Sequence, residues 1–298
     1  MYSLTQLGLD ALESSNLQDH DTTRLGRVVA EHGDHFEVLG EQREKTLVSL
    51  AGSLRETRPA VGDFVELDET FTRIDHVLPR RTALVRQAAG GTTKQQVIAA
   101  NIDIVFVVTS MNDEFNESRL ERYLAVAWES GATPVILVNK ADLTDDPERF
   151  VERTRECALG VDVVPMSALN TEGLEPLDEY LQSGRTYVLV GSSGVGKSTI
   201  VNAIIGDELQ KTSSIREDDD EGRHTTTRRD LIVLPDDRGI LIDTPGMREL
   251  ALWGAEDGVA ATFEDIEEVA TRCRFRDCTH EGEPGCAIEG ALEAGELD

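Results

Sequence analysis

Lysine is almost missing from this chain: five stand beside twenty-four arginines, and together they face 57 acidic residues, for a formal charge of −28. Two explanations fit. One is a salt-rich cytoplasm, where high ionic strength screens self-repulsion; the other is an acidic variant with local basic patches. Scarce lysine in so acidic a composition favours the first. Long apolar runs are missing too. None approaches the roughly 20 residues that a membrane-spanning helix needs, and residues 1–21 are polar and acidic, unlike a signal peptide. A cytoplasmic protein with no membrane partner is the expectation. Because residues 1–21 also lack a periodic pattern, they are expected to form a flexible N-terminal tail. Aromatic residues make up only 5% of the chain, with no row of them to stack bases on. Cysteines number four, and in a cytosolic chain disulfides between them are not expected.

What is present is a set of loops suited to a nucleotide. Residues 185–190 read as a short buried strand and 197–205 as a helix, with Gly191, Ser192, Ser193, Gly194, Val195, Gly196, Lys197 and Ser198 at their junction. Strand, glycine loop and helix make the context of a P-loop. The glycines let backbone N–H groups close around phosphate oxygens at a helix N-terminus, and Lys197 reaches the β- and γ-phosphates. The Ser198 hydroxyl would hold Mg²⁺, with Thr199 beside it as a further binding residue. A plain glycine turn is the alternative, and the flanking strand and helix argue against it.

Another apolar strand, 239–242, leads to Asp243, where P-loop enzymes place a second Mg²⁺ carboxylate that acts through a water. The sequence Asp243-Thr244-Pro245-Gly246 then puts the Gly246 N–H where it senses a γ-phosphate. A third strand, 134–138, ends at Asn139-Lys140-Ala141-Asp142. A carboxylate two positions after the lysine accepts from both the ring N–H and the exocyclic amine of guanine, a donor pair that adenine lacks. Leaving such an acceptor unpaired costs roughly a few kcal/mol, so GTP and GDP are selected over ATP. Lys140 would lie along base and ribose. In Ser167-Ala168 the Ala168 N–H would meet the guanine oxygen. An ATP-using enzyme is the rival reading, and Asp142 argues against it.

These motifs stand in rotated order, base-reading loops first and phosphate loop after. A doubly wound sheet builds its pocket from whichever loops converge at the carboxyl ends of its strands, so the rotation leaves the chemistry intact. Strand 102–108 and helix 117–130 open the alternation that runs to residue 242. The expected fold is therefore α/β, a circularly permuted P-loop GTPase domain over residues 94–254. Before it, short β-like stretches at 25–30, 35–39, 46–50, 63–67 and 72–77, punctuated by Gly40, Gly52 and Gly62, suggest an OB-like β-barrel over 22–80. Residues 81–93 read as a polar linker. The barrel either binds nucleic acid or only packs on its neighbour.

Residues 255–298 hold Cys273, Cys278, His280 and Cys286, spaced C-x₄-C-x-H-x₅-C. Three thiolates and an imidazole match a closed structural Zn²⁺ site, and a metal stabilises a segment too small for its own core. Reduced buried thiols or a redox pair are the alternatives. Arginines cluster at Arg80, Arg81 and Arg86, at Arg223, Arg228 and Arg229, and at Arg272, Arg274 and Arg276. Each cluster is either an RNA contact or local charge balancing.

Barrel, rotated GTPase motifs and Cys-Cys-His-Cys segment together resemble ribosome small-subunit-dependent GTPase A, the RsgA/YjeQ family. The resemblance implies a late maturation factor that binds the 30S subunit and its 16S rRNA, whose GTP hydrolysis is stimulated by the subunit and linked to release; a monomer is the expectation. It also implies a mobile switch at Gly222-Arg223-His224-Thr225-Thr226-Thr227, with Thr226 completing the Mg²⁺ shell. Met247 stands where many GTPases place a water-orienting glutamine, and methionine cannot serve. His224 is the candidate to place the water, unless it is a solvated loop histidine. Lys197, Gly246 and His224 form the candidate catalytic set. A nucleotide-gated RNA-binding module with incidental turnover is the alternative function.

Overall fold

The computed structural model describes residues 1–12, 14–54, 58–87, 95–169, 171–206, 230–243, 273, 285–287 and 290–291. The chain divides into two compact units, Met1–Ala251 and Leu252–Asp298. No helix among the described residues is long and apolar enough to cross a membrane.

In the first unit, five strands close a barrel: β1 (Leu25–His32), β2 (His35–Gly40), β3 (Thr46–Leu50), β4 (Phe64–Leu67) and β5 (Arg73–Val77). Their order is β1-β2-β3-β5-β4, and β4 returns to pair with β1. Inward side chains alternate with outward ones and fill the barrel with Val28, Phe36, Val38, Val48, Val65, Leu67 and Ile74. A bulge in β1 between Val28 and Ala30 divides the work of that strand. Before the bulge, residues 25–27 pair with β4; after it, Ala30 pairs with Asp230. Bulges bend a strand and re-aim its ladder, so β1 serves both the barrel and the next sheet.

That sheet contains β8 (Ile104–Ser110), β9 (Thr133–Asn139), β10 (Asp162–Pro165), β11 (Thr186–Gly191), β12 (Asp230–Val233) and β13 (Ile240–Asp243), with helices α1 (Glu117–Glu129), α2 (Pro147–Cys157) and α3 (Lys197–Ile205). The order is β10-β9-β8-β11-β13-β12, parallel except for β12. Counted from the phosphate-loop strand β11, the same order reads 6-5-4-1-3-2. The expected nucleotide motifs therefore stand at the carboxyl ends of β9, β10 and β11, and Asp243 ends β13. Phe106, Leu137, Tyr187, Leu189, Ile200 and Leu241 form the core beneath them.

Two expectations need correction. The supposed flexible tail packs down: Leu4, Leu7, Leu9 and Leu12 are buried, and the Leu4 N–H donates to the Glu41 carboxylate at 2.6 Å. Its leucines escape a periodicity reading because turns and one short 3-10 segment, Leu9–Ala11, carry them rather than an α-helix. The supposed linker contains β6 (Ala83–Gln87), which pairs with β7 (Gln95–Ala100) and buries Leu84 and Ile98.

Arg27 ties these parts together. Its guanidinium is fully buried and donates to Leu7 O at 2.7 Å, Gly62 O at 3.1 Å and Asn101 O at 3.1 Å. Those carbonyls come from the N-terminal segment, the barrel and the start of the α/β sheet. Burial pushes its pKa down to about 10, against the nearby charges of Asp103 and Asp63, so it stays charged at neutral pH. Two of the arginines marked as RNA candidates also have internal partners. Arg80 pairs with fully buried Asp63 at 2.6 Å, and Arg81 with Asp103 at 2.5 Å. For these two, local charge balancing is the better reading. Arg223, Arg228, Arg229, Arg272, Arg274 and Arg276 lie outside the described residues, as does the side chain of Arg86.

Candidate nucleotide site

The phosphate loop begins where β11 leaves the sheet. Gly191 has φ +146, and a Cβ there would stand 2.3 Å from Val108 O on the neighbouring strand β8. Only glycine lets the two backbones approach so closely. At the other end Gly196 has φ +99 and precedes α3, whose first turn carries Lys197, Ser198 and Thr199. Helix α3 is anchored through Ile200, Val201 and Ile204, so its N-terminal N–H groups face the loop from a fixed position. Lys197 Nζ donates to Gly191 O at 2.6 Å and to Ser192 O at 2.5 Å. The amine thus rests on the loop that it would share with a bound phosphate.

The loops after β9 and β10 meet the phosphate loop through Asn139. This side chain is only 2% exposed; its Nδ2 donates to Val195 O at 2.9 Å, and its Oδ1 accepts from the Ala168 N–H at 3.0 Å. One carboxamide therefore joins all three loops. Lys140 adopts a left-handed backbone, φ +65, which turns the chain sharply so that Asp142 is presented at the surface. Its carboxylate accepts from the Ser167 hydroxyl, and the Ala141 N–H donates to Met166 O at 3.1 Å. The Asp142 carboxylate is thus held by the residue that precedes Ala168.

Asp243 ends β13, next to β11 in the sheet; its backbone is placed and its side chain is not described. Serine at the start of α3 and aspartate at the end of β13 are residue types whose oxygens suit Mg²⁺ with nucleotide phosphates. His224, Thr226 and Gly246 lie outside the described residues. Sequence reasoning missed Arg119 of α1, whose Nη1 donates to Ser192 Oγ at 3.2 Å. A contact across 73 residues leaves no local signal.

In the second unit, the Ala287 N–H donates to Cys273 Sγ at 3.3 Å, which brings position 273 beside the segment of buried Cys286. Cys278 and His280 lie outside the described residues. Among the described residues no group of three or more metal-ligating side chains assembles, so the zinc expectation is not established by the fold.

The rotated sheet order and the glycine loop between β11 and α3 are those of a circularly permuted P-loop GTPase. A family model described as RsgA GTPase matches residues 77–253. The chain is 48% identical over 276 residues to the small ribosomal subunit biogenesis GTPase RsgA of Methanosarcina acetivorans, covering 91% of this chain and 74% of that one. It is 42% identical over 299 residues to RsgA 2 of Vibrio vulnificus, covering 100% and 84%. Among solved structures it resembles YjeQ from Thermotoga maritima, with TM-score 0.59, 30% identity and 92% of each chain covered. It also resembles YloQ, described as a circularly permuted GTPase, with TM-score 0.54, 26% identity and 94% and 92% covered. This chain belongs to the RsgA GTPase family.

Proposed function

We propose that this GTPase is a late maturation factor of the 30S ribosomal subunit, which stimulates its GTP hydrolysis and releases it as hydrolysis proceeds. The observation that carries the nucleotide half is Asn139, which holds base-reading and phosphate loops in one constellation. The relatives named for small-subunit biogenesis, at 42% and 48% identity, support the ribosomal half. Asn139, Lys140, Asp142, Ser167 and Ala168 receive guanine and ribose. Gly191 to Thr199 cradle the phosphates, and Ser198, Asp243 and Thr226 hold Mg²⁺. Mg²⁺ when bound neutralises charge on the β- and γ-phosphate oxygens. Lys197 and the Gly246 N–H would stabilise the same charge, and His224 would place the attacking water once the subunit orders its loop.

The strand order of the closed barrel suits an OB-fold that meets 16S rRNA. In residues 255–298, Cys273, Cys278, His280 and Cys286 would hold one structural Zn²⁺. The protein would work in the cytoplasm as a monomer. The test is multiple-turnover GTPase rate with purified small or large subunits across a salt series. Selective stimulation by small subunits is expected; equal rates with neither, either or both would refute the assignment and leave the RNA-binding module with incidental turnover.

A further inference from the structure

Helix α1 brings a cation onto the phosphate loop that no nucleotide motif contains. Arg119 sits in the first turn of α1, where its backbone N–H is taken by the capping side chain of Asn116 at 2.8 Å. Leu120, Tyr123, Leu124 and Ala127 bury the same helix against the sheet, so the base of the arginine is fixed. Its guanidinium reaches Ser192 Oγ. Ser192 is also the residue whose carbonyl accepts from Lys197 Nζ. The preceding residue, Gly191, is still in register with Val108 of β8, whereas β11 ends there. Ser192 is thus the first loop residue beyond the sheet, and Arg119 holds its side chain while Lys197 holds its carbonyl.

We propose that Arg119 is a positioning residue for nucleotide binding: by pinning Ser192 it keeps the first turn of the phosphate loop, and the Lys197 amine resting on it, in the geometry that receives a β-phosphate. The inference rests on the GTPase reading of this site. A cradle already in its bound shape loses less freedom on binding. GDP and GTP both carry the β-phosphate, so Arg119 contributes to the affinity for each and not to the chemical step. Its charge adds a salt-screened attraction to the polyphosphate.

The test uses the full chain and measures dissociation constants for GDP and Mg-GTP, kcat and melting temperature. The variants are Arg119→Ala, Arg119→Lys, Ser192→Ala and the Arg119→Ala/Ser192→Ala pair. Arg119→Ala should weaken both nucleotides about five- to twentyfold with kcat changed less than about twofold. Arg119→Lys should recover part of the loss, and the double variant should be no worse than the weaker single one. The proposal is overturned if Arg119→Ala binds both nucleotides like the parent chain, if the two single losses add in full, or if kcat falls at unchanged affinity. Should Arg119→Ala melt early, the Arg119→Lys and Ser192→Ala affinities decide in the same terms. A parent chain that binds no Mg-GTP would defeat the GTPase reading itself, while normal parent binding beside an unaffected Arg119→Ala defeats this inference alone.

Discussion

Asn139 donates to the Val195 carbonyl at 2.9 Å across 56 residues, so a residue of the loop proposed to read the base supports the phosphate loop directly. A Cβ on Gly196 would stand 2.3 Å from the same nitrogen, which shows how little room separates the two motifs. Chain rotation has not loosened this joint, because β8, β9 and β11 still lie side by side.

Replacing Asn139 with Ala strips partners from Val195 O and the Ala168 N–H at once, at a residue that is itself buried. Unpaired buried polar groups cost about 1–3 kcal/mol each. A loss of about 2–3 kcal/mol in nucleotide affinity, roughly 30- to 150-fold, is expected for GDP and GTP alike. Gly196→Ala should act in the same direction, since its φ of +99 also disfavours a side chain. Equilibrium binding of a fluorescent guanine nucleotide measures both; parent-like affinity in Asn139→Ala would show that the joint is not needed.

Arg27→Met should destabilise the chain without touching the nucleotide site. Methionine matches the apolar stem of the arginine but leaves the carbonyls of Leu7 and Asn101 without the guanidinium donors, and Gly62 O with only the Asn101 Nδ2 amide. The expected cost is about 3 kcal/mol or more, which for a body of this size lowers the melting temperature by about 6–12 °C. Calorimetry decides, and a shift below a couple of degrees would mean that water replaces the guanidinium at little cost.

A pH dependence follows from the turn between β4 and β5. The Asp68 carboxylate accepts from the Thr70 hydroxyl at 2.7 Å, the Thr72 N–H at 2.8 Å and the Arg73 N–H at 3.1 Å. Led by the Thr70 hydroxyl, these bonds hold its pKa down at about 2, against an ordinary 3.8. A carboxyl whose folded pKa is depressed adds stability above its unfolded pKa and loses it as pH falls toward the folded one. The stability gap between parent chain and Asp68→Ala should be constant above pH ~4 and should close between about 4 and 2. Denaturant titrations at stepped pH read the gap; one that persists undiminished at pH 2 contradicts the assignment. The turn also holds Phe71 at φ +55, so the same variant should loosen that backbone.

Local signals revealed the strands and the phosphate loop, because alternating apolar residues and glycine spacing act within a few positions. Residues 197–205 form the expected helix to the residue, and all five barrel strands appear. What local reading missed depends on distant partners. Leu7 and Leu9 are buried in a segment that docks on Arg27, and Gly8 lies so close to Gly184 O that a Cβ would stand 2.6 Å away. Nor does sequence say that Arg80 and Arg81 find Asp63 and Asp103. Arginine clustering is compatible with both nucleic acid and carboxylates, and only the fold distinguishes them.

The proposed zinc site gives the last prediction. The Ala287 N–H points at Cys273 Sγ, the kind of donor that supports a thiolate ligand and settles its orientation. If Cys273, Cys278, His280 and Cys286 bind one Zn²⁺, elemental analysis of the purified chain should find about one zinc per molecule. Cys273→Ser or Cys286→Ser should reduce that occupancy. Cys157→Ser should not, because Cys157 Sγ sits in α2 donating to Thr154 O at 3.3 Å. Thiolate ligands must lose protons to bind, so metal retention against a chelator should weaken as pH falls from about 8 to 5. Removal of the metal should increase protease cleavage within residues 252–298 while GTP binding by the first unit persists. A zinc-free chain with unchanged proteolysis after chelation would leave the cysteines as reduced thiols and remove the metal from the account.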